Sequence, residues 1–266
     1  MSGHPELDAT AARLRLETMR MIAAAGAGHP GSSLSAIEIL TVLHYHTMRH
    51  RPADPTWAER DRFVLSKGHA APALYAVLID LGILPRASAG TLRALGSPLQ
   101  GHPDPRTRGI EVGSGSLGQA FSVAVGMALG LAKREVGARV FALLGDGECQ
   151  EGQVWEAAMC AAQLGLAGLT VIVDANGIQH DGRTRDIMGA APLTAKWRAF
   201  GWEVVEVDGH DCAALITALA PAPRPRAVIA RTVKGRGVSF MEDDPNWHSV
   251  ADPGRLAEAV EELSHA

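Results

Sequence analysis

The sequence is short of several things that would fix its class at once. Three cysteines, Cys149, Cys160 and Cys212, show no metal-ligand spacing, and an odd number cannot all pair within one chain. They read as reduced thiols, which fits a cytoplasmic setting. Lysine is scarce, with 4 residues against 21 arginines, and no basic block stands out. At a net charge of -4 the chain has no basic stripe for a phosphate backbone, so nucleic acid is not expected as a partner. The opening residues Met1-Ser-Gly-His-Pro-Glu6 contain no apolar stretch, so no signal peptide is expected. The longest run of small apolar residues, Val123 to Ala132, has roughly half the length that a bilayer crossing needs. No internal repeat and no linker divides the chain. Residues 1–266 are therefore expected to form one domain, and a 47% hydrophobic content is enough for one large core.

What is present is periodicity. Leu7, Ala11, Leu14, Thr18 and Met21 mark a helical stripe that Asp8 would cap. Ser35-Ala-Ile-Glu38 has the form of a capping box opening a helix that runs to about Met48. Ala73 to Leu81 predicts a buried helix closed by Gly82. Residues 85–110, rich in Pro, Gly and Arg, read as loop with one short helix near Leu92. Leu117 to Arg134 reads as a helix whose small residues suit close packing against another helix. Four strand-like runs follow, Val140–Leu144, Leu169–Val173, Glu203–Val207 and Ala227–Val233, with helical stretches between them. Residues 234–254 return to loop, and a short amphipathic helix closes the chain. This alternation predicts an α/β fold with a doubly wound, mainly parallel sheet, whose ligands bind at the carboxyl ends of the strands.

Those ends carry the strongest site signal. The first run ends in Gly145-Asp146-Gly147 and the second in Asp174-Ala175-Asn176. Asp146 and Asn176 stand 30 residues apart, one strand–helix–strand unit, so both are expected at the ends of parallel strands. A carboxylate and a carboxamide there are hard oxygen ligands suited to Mg²⁺, with Ca²⁺ or Mn²⁺ as alternatives. The two glycines allow close approach of a diphosphate, and the helix Glu151–Leu164 adds a favourable dipole. Gly-Asp-Gly by itself is equally an ordinary turn; the pair of filled strand ends favours the site. Gly113-Ser-Gly115-Ser-Leu-Gly118 is formally a dinucleotide fingerprint, but loop rather than strand precedes it. His46 and His50 would share a helix face, with no evident third metal ligand, and His210 reads as a turn residue.

Four histidines sit in distinctive loops: Gly28-His29-Pro30-Gly31, Ser66-Lys67-Gly68-His69, Gly101-His102-Pro103 and Trp247-His248-Ser249. Together with Gly113-Ser-Gly-Ser-Leu-Gly-Gln119 and Gly145-Asp-Gly-Glu-Cys-Gln-Glu-Gly152, they resemble transketolase in order and approximate spacing, from about residue 10 to residue 250. The resemblance implies thiamine diphosphate as cofactor and ketol transfer between sugar phosphates as reaction. Asp146, Asn176 and the carbonyl of Ile178 match Mg²⁺ ligands. His69, Gly147 and His248 match contacts to the diphosphate. Gly115 and Leu117 match positions beside the thiamine rings, with Ser116 between them, and Gly145 and Glu148 complete the implied cofactor set. His29 and His102 match positions that bond sugar hydroxyls and shuttle protons, and they form the implied catalytic set with His69 and His248. Glu151, Glu156 and Arg93 match intersubunit contacts, while Cys149 is a space-filler.

Full-length transketolases continue with a pyrimidine-binding and a C-terminal domain. This chain resembles the N-terminal subunit of a split bacterial transketolase, which implies a partner subunit and an α₂β₂ assembly. The α subunit of a 2-oxo acid dehydrogenase or a deoxyxylulose phosphate synthase would share the diphosphate motif, but neither accounts for the histidine loops together. A non-catalytic binding subunit is the reading from another class.

Overall fold

The computed structural model describes residues 4–180, 182–189, 192–250 and 252–265. Helix α1 (Pro5–Ala25) leads into α2 (Pro30–Leu34) and α3 (Ile37–Val42), which a π turn extends to Thr47. Strand β1 (Arg62–Leu65) and helix α4 (Ala71–Asp80) follow. After a long irregular stretch come α5 (Gln119–Lys133), β2 (Val140–Gly145), α6 (Gly152–Gln163) and β3 (Leu169–Ala175). A small hairpin, β4 (Ile178–Gln179) with β5 (Gly182–Arg183), precedes α7 (Thr184–Ile187) and α8 (Leu193–Ala199). The chain then runs through β6 (Glu203–Asp208), α9 (Cys212–Ala218), β7 (Arg226–Arg231) and α10 (Leu256–Ser264).

Among the described residues five strands form one sheet in the order β1-β2-β3-β7-β6, and every neighbouring pair is parallel. A parallel sheet of this kind is covered on both faces. Strand residues alternate between two cores accordingly. Phe141, Leu143, Ile172, Val228 and Ala230 face α1, α3, α4 and α9. Val140, Ala142, Leu144, Val171, Val173 and Ile229 face α5, α6 and α8. The predicted α/β doubly wound architecture is therefore the observed one. Among the described residues no helix is long and apolar enough to cross a membrane.

Local departures have local causes. Helix α1 starts at Pro5, so Asp8 lies in its first turn rather than at the cap. There its charge still suits the helix dipole. The capping box does not form. Helix α3 starts at Ile37 after Ala36, with no side-chain cap, because Ser35 already has helical backbone angles and α2 runs almost directly into α3. The Ser35 hydroxyl instead donates to Asp174 Oδ2 at 2.6 Å, and Glu38 pairs with Arg15 and His210. His46 and His50 do not share a helix face, since helical structure ends at Thr47 and the His50 ring bonds the His44 carbonyl at 2.6 Å. The expected helix near Leu92 is a 3₁₀ segment, Arg86–Thr91. Strand β1 was not foreseen, being four residues long at the sheet edge. Gly118, at φ 83°, lets the chain turn sharply into α5 two residues later than predicted.

Candidate active site

The sheet places its loops where the sequence implied. Gly145, the last residue of β2, is in register with Asp174 near the end of β3. Asp146 and Asn176 therefore leave neighbouring strands side by side. Around them opens a cavity of about 360 Å³. It brings together His29, His69, His102 and His248 from four separate loops. Gly115, Leu117, residues 145–148, Glu151, Asn176 and Ile178 line it as well. Ser116, Glu156 and Arg93 are not on its wall.

The oxygen donors on the cavity floor are held by backbone amides. Asp146 Oδ1 accepts from Gly147 N at 2.9 Å and Oδ2 from Gly177 N at 2.8 Å. Asn176 Oδ1 accepts from Ile178 N at 3.1 Å, and its Nδ2 donates to Asp174 Oδ1 at 3.3 Å. Burial first, and the neighbouring Asp174 charge second, push the Asp146 carboxyl up to about 6. Glu148, fully buried, serves as a brace. Its carboxylate accepts from the Ser66 hydroxyl, from Gly118 N at 2.9 Å and from Gly145 N at 3.1 Å, tying three site loops together.

The four imidazoles cluster around His29 in the same cavity. His29 lies 5.4 Å from His69, 6.2 Å from His102 and 5.4 Å from His248, centroid to centroid. Burial lowers His29 to about 4, helped by the charges of His102, Arg93 and Lys234. Burial and Lys234 take His248 to about 3, while burial first and a nearby cation second hold His69 and His102 below their ordinary value. All four are neutral at neutral pH. Each then offers one donor and one acceptor nitrogen, the pattern that polyol hydroxyls need.

Residues 7–253 match the family described as "Transketolase, thiamine diphosphate binding domain". The chain belongs to the transketolase family. It is 44% identical over 242 residues to the "6-deoxy-6-sulfo-D-fructose transketolase subunit SqwG" of Clostridium sp. (strain MSTE9), a match covering 89% of this chain and 88% of that subunit. It is 45% identical over 261 residues to the transketolase of Pongo abelii, covering 94% of this chain but 41% of that protein. The chain thus spans less than half the length of such full-length transketolases. The crystal structure of the Campylobacter jejuni transketolase superposes with a TM-score of 0.90 at 31% identity, over 97% of this chain and 42% of that one. The match decides against the oxo acid dehydrogenase and deoxyxylulose phosphate synthase readings.

Within this transketolase domain the cavity also contains residues that sequence reasoning passed over: Ser32, Lys67, Gln150, Gln179, His180 and Lys234. The Lys67 ammonium pairs with Asp174, both side chains being almost wholly buried, and donates to the Ser32 carbonyl at 3.0 Å. Lys234 Nζ donates to the Ile178 carbonyl at 3.1 Å and lies 3.0 Å from His248 Nδ1. Burial and the Lys67 charge push Lys234 down to about 8. The available signal was lysine scarcity: in a chain that uses arginine for its surface charge, two of only four lysines are buried here. His180, at the tip of the β4–β5 hairpin, packs 4.9 Å from His248. Arg93 has φ 61° and lies against Gly101, close enough to influence His29 and His102.

Proposed function

We propose that residues 1–266 act as one thiamine diphosphate-binding domain. On this reading the chain supplies the diphosphate- and metal-binding half of an enzyme that moves a two-carbon ketol unit from a ketose phosphate to an aldose phosphate in the cytoplasm. A partner subunit brings the pyrimidine-binding and C-terminal domains, in an α₂β₂ assembly. One observation carries the reading: oxygen ligands at two neighbouring strand ends and four imidazoles from separate loops line one cavity. The partner is supported by the SqwG relative, which is named as a subunit and is covered over 88% of its length.

The residues present fit the cofactor. Asp146, the Asn176 carboxamide oxygen and the Ile178 carbonyl would hold Mg²⁺, whose charge would offset the burial and the neighbouring Asp174 that raise the Asp146 pKa. Ca²⁺ or Mn²⁺ would take the same oxygen ligands. His69 and His248 would bond the diphosphate oxygens, with Gly147 close against them and Lys67 and Lys234 supplying positive potential. Gly145, Gly115 and Leu117 would shape the walls toward the rings, with Ser116 off the wall between the last two, and Glu148 holds those walls in register. When bound, thiamine diphosphate supplies the carbon nucleophile that takes up the ketol fragment. His29 and His102 bond the sugar hydroxyls and pass protons at their ring nitrogens. Glu151, exposed at the N-cap of α6, and Glu156, exposed on that helix, stand on the side of the sheet where α6 packs with α5, whose Val123, Gly126 and Gly130 are also exposed. This face, with Arg93, is the proposed intersubunit surface.

Calorimetric titration of thiamine diphosphate into the chain plus partner, with and without Mg²⁺, tests the assignment. Saturable binding that requires the metal is expected; no binding, or binding indifferent to metal, overturns it. His29→Ala and His102→Ala are expected to lower kcat/KM for the ketose by about 0.5–1.5 kcal/mol each, and by more where a proton transfer is lost. Cofactor affinity stays nearly unchanged. If both variants lose the cofactor and keep their ketose KM, the two roles have been exchanged.

A further inference from the structure

His210 lies outside the cavity, in the turn between β6 and α9, yet its backbone amide and both ring nitrogens are engaged. Asp208 Oδ1 accepts from His210 N at 2.8 Å, and Asp211 caps α9 through the amides of Ala213 and Ala214. With its backbone fixed on both sides, the ring has one place to go. Its Nδ1 lies 2.9 Å from Glu38 Oε2, and its Nε2 lies 2.8 Å from the amide nitrogen of Val233. An amide N–H can only donate, so Nε2 is the bare nitrogen and Nδ1 carries the proton that it gives to Glu38. Glu38 is buried and is held in turn by Arg15 of α1.

Val233 is the residue before Lys234. The Lys234 side chain is 1% exposed and threads between segments that leave it no slack. A Cβ on Gly31 would stand 2.9 Å from Lys234 Cγ, and Gly235 N donates to Gly31 O at 3.0 Å. The Val233 peptide is thus the point from which this confined side chain reaches Ile178 and His248. We propose that His210 is a positioning residue, whose Nε2 fixes the Val233 amide and thereby sets Lys234 at the cofactor diphosphate. The inference rests on the reading of Lys234 as a diphosphate-facing cation.

The test separates the two ring nitrogens in the assembled protein with its partner. His210→Asn keeps a donor near the Nδ1 position for Glu38 but removes the acceptor at Nε2. His210→Gln places a carbonyl oxygen near Nε2. The asparagine variant is expected to weaken Mg²⁺–thiamine diphosphate binding roughly tenfold or more, and the glutamine variant to stay within about threefold of the unmodified protein. Equal losses that follow the melting temperature would reduce His210 to a structural residue and overturn the proposal. So would unchanged affinity in the asparagine variant. Lys234→Met is the control. If it leaves cofactor affinity unchanged, the reading of Lys234 fails; if it weakens binding while His210→Asn does not, only the positioning role fails. Should His210→Asn not fold, ¹⁵N histidine spectra of the unmodified chain decide: a protonated Nδ1 is expected, and a protonated Nε2 refutes the proposal.

Discussion

Alanine at Asp146 or at Asn176 is expected to abolish Mg²⁺-dependent binding of thiamine diphosphate while leaving the sheet folded. Both side chains extend from the ends of adjacent parallel strands and supply two of the three proposed oxygen ligands. Changing residues that merely support metal ligands costs about 10–100-fold in affinity, so removing a ligand itself should cost at least about 100-fold. The fold should survive because two effects oppose each other. Losing Asp146 leaves the amides of Gly147 and Gly177 without their acceptor, at about 1–3 kcal/mol each if they remain dry. It also removes a buried carboxylate that stands beside Asp174. Calorimetry with a parallel circular dichroism melt reads both quantities. Unchanged cofactor affinity in both variants would refute the site.

Lys67→Met is expected to have the largest effect on stability, about 3–5 kcal/mol, because it strands a carboxylate that the fold has removed from water. Asp174 has no solvent exposure and also accepts from the hydroxyls of Ser35 and Thr232 and from the Asn176 amide. Burial opposes its charge, but the Lys67 ammonium and these hydrogen bonds outweigh that and keep its pKa below the usual range. A loss of this size is a large fraction of the roughly 5–15 kcal/mol that ordinarily holds a domain together. Replacing both partners, Lys67→Met with Asp174→Leu, should restore part of the loss, since no buried charge is then left alone. Urea unfolding measures both variants. A single-variant loss under about 1 kcal/mol would mean that water reaches Asp174.

The difference between what could be read from the sequence and what could not follows the range of the interactions. Strands β2 and β3 were visible because β-branched and aliphatic runs end in Gly-Asp-Gly and Asp-Ala-Asn, and their parallel pairing follows from the intervening helix. The four histidine loops could be read because each carries its own local pattern. Strand β1 could not, since Arg62-Phe-Val-Leu65 is too short to show a period and is defined by pairing with β2 across seventy-odd residues. Ser35 and Glu38 satisfied a local rule that lost to distant partners: Asp174 for the serine, Arg15 and His210 for the glutamate. Lys67 and Lys234 have no local signature at all. Their meaning lies in Asp174, Ile178 and His248, which only the fold brings within reach.

Whether this chain acts as one half of a ketol-transferring enzyme is measured directly by a mixing assay. The purified chain, a subunit carrying the pyrimidine-binding and C-terminal domains, Mg²⁺ and thiamine diphosphate are incubated with a ketose phosphate and an aldose acceptor, and the products are followed by mass. Two-carbon transfer is predicted with both chains present and absent with either alone. Thiamine diphosphate is predicted to strengthen their association, because a ligand bridging two subunits favours the complex by mass action. Full turnover by this chain without the partner would contradict the account, as would no transfer by the reconstituted pair.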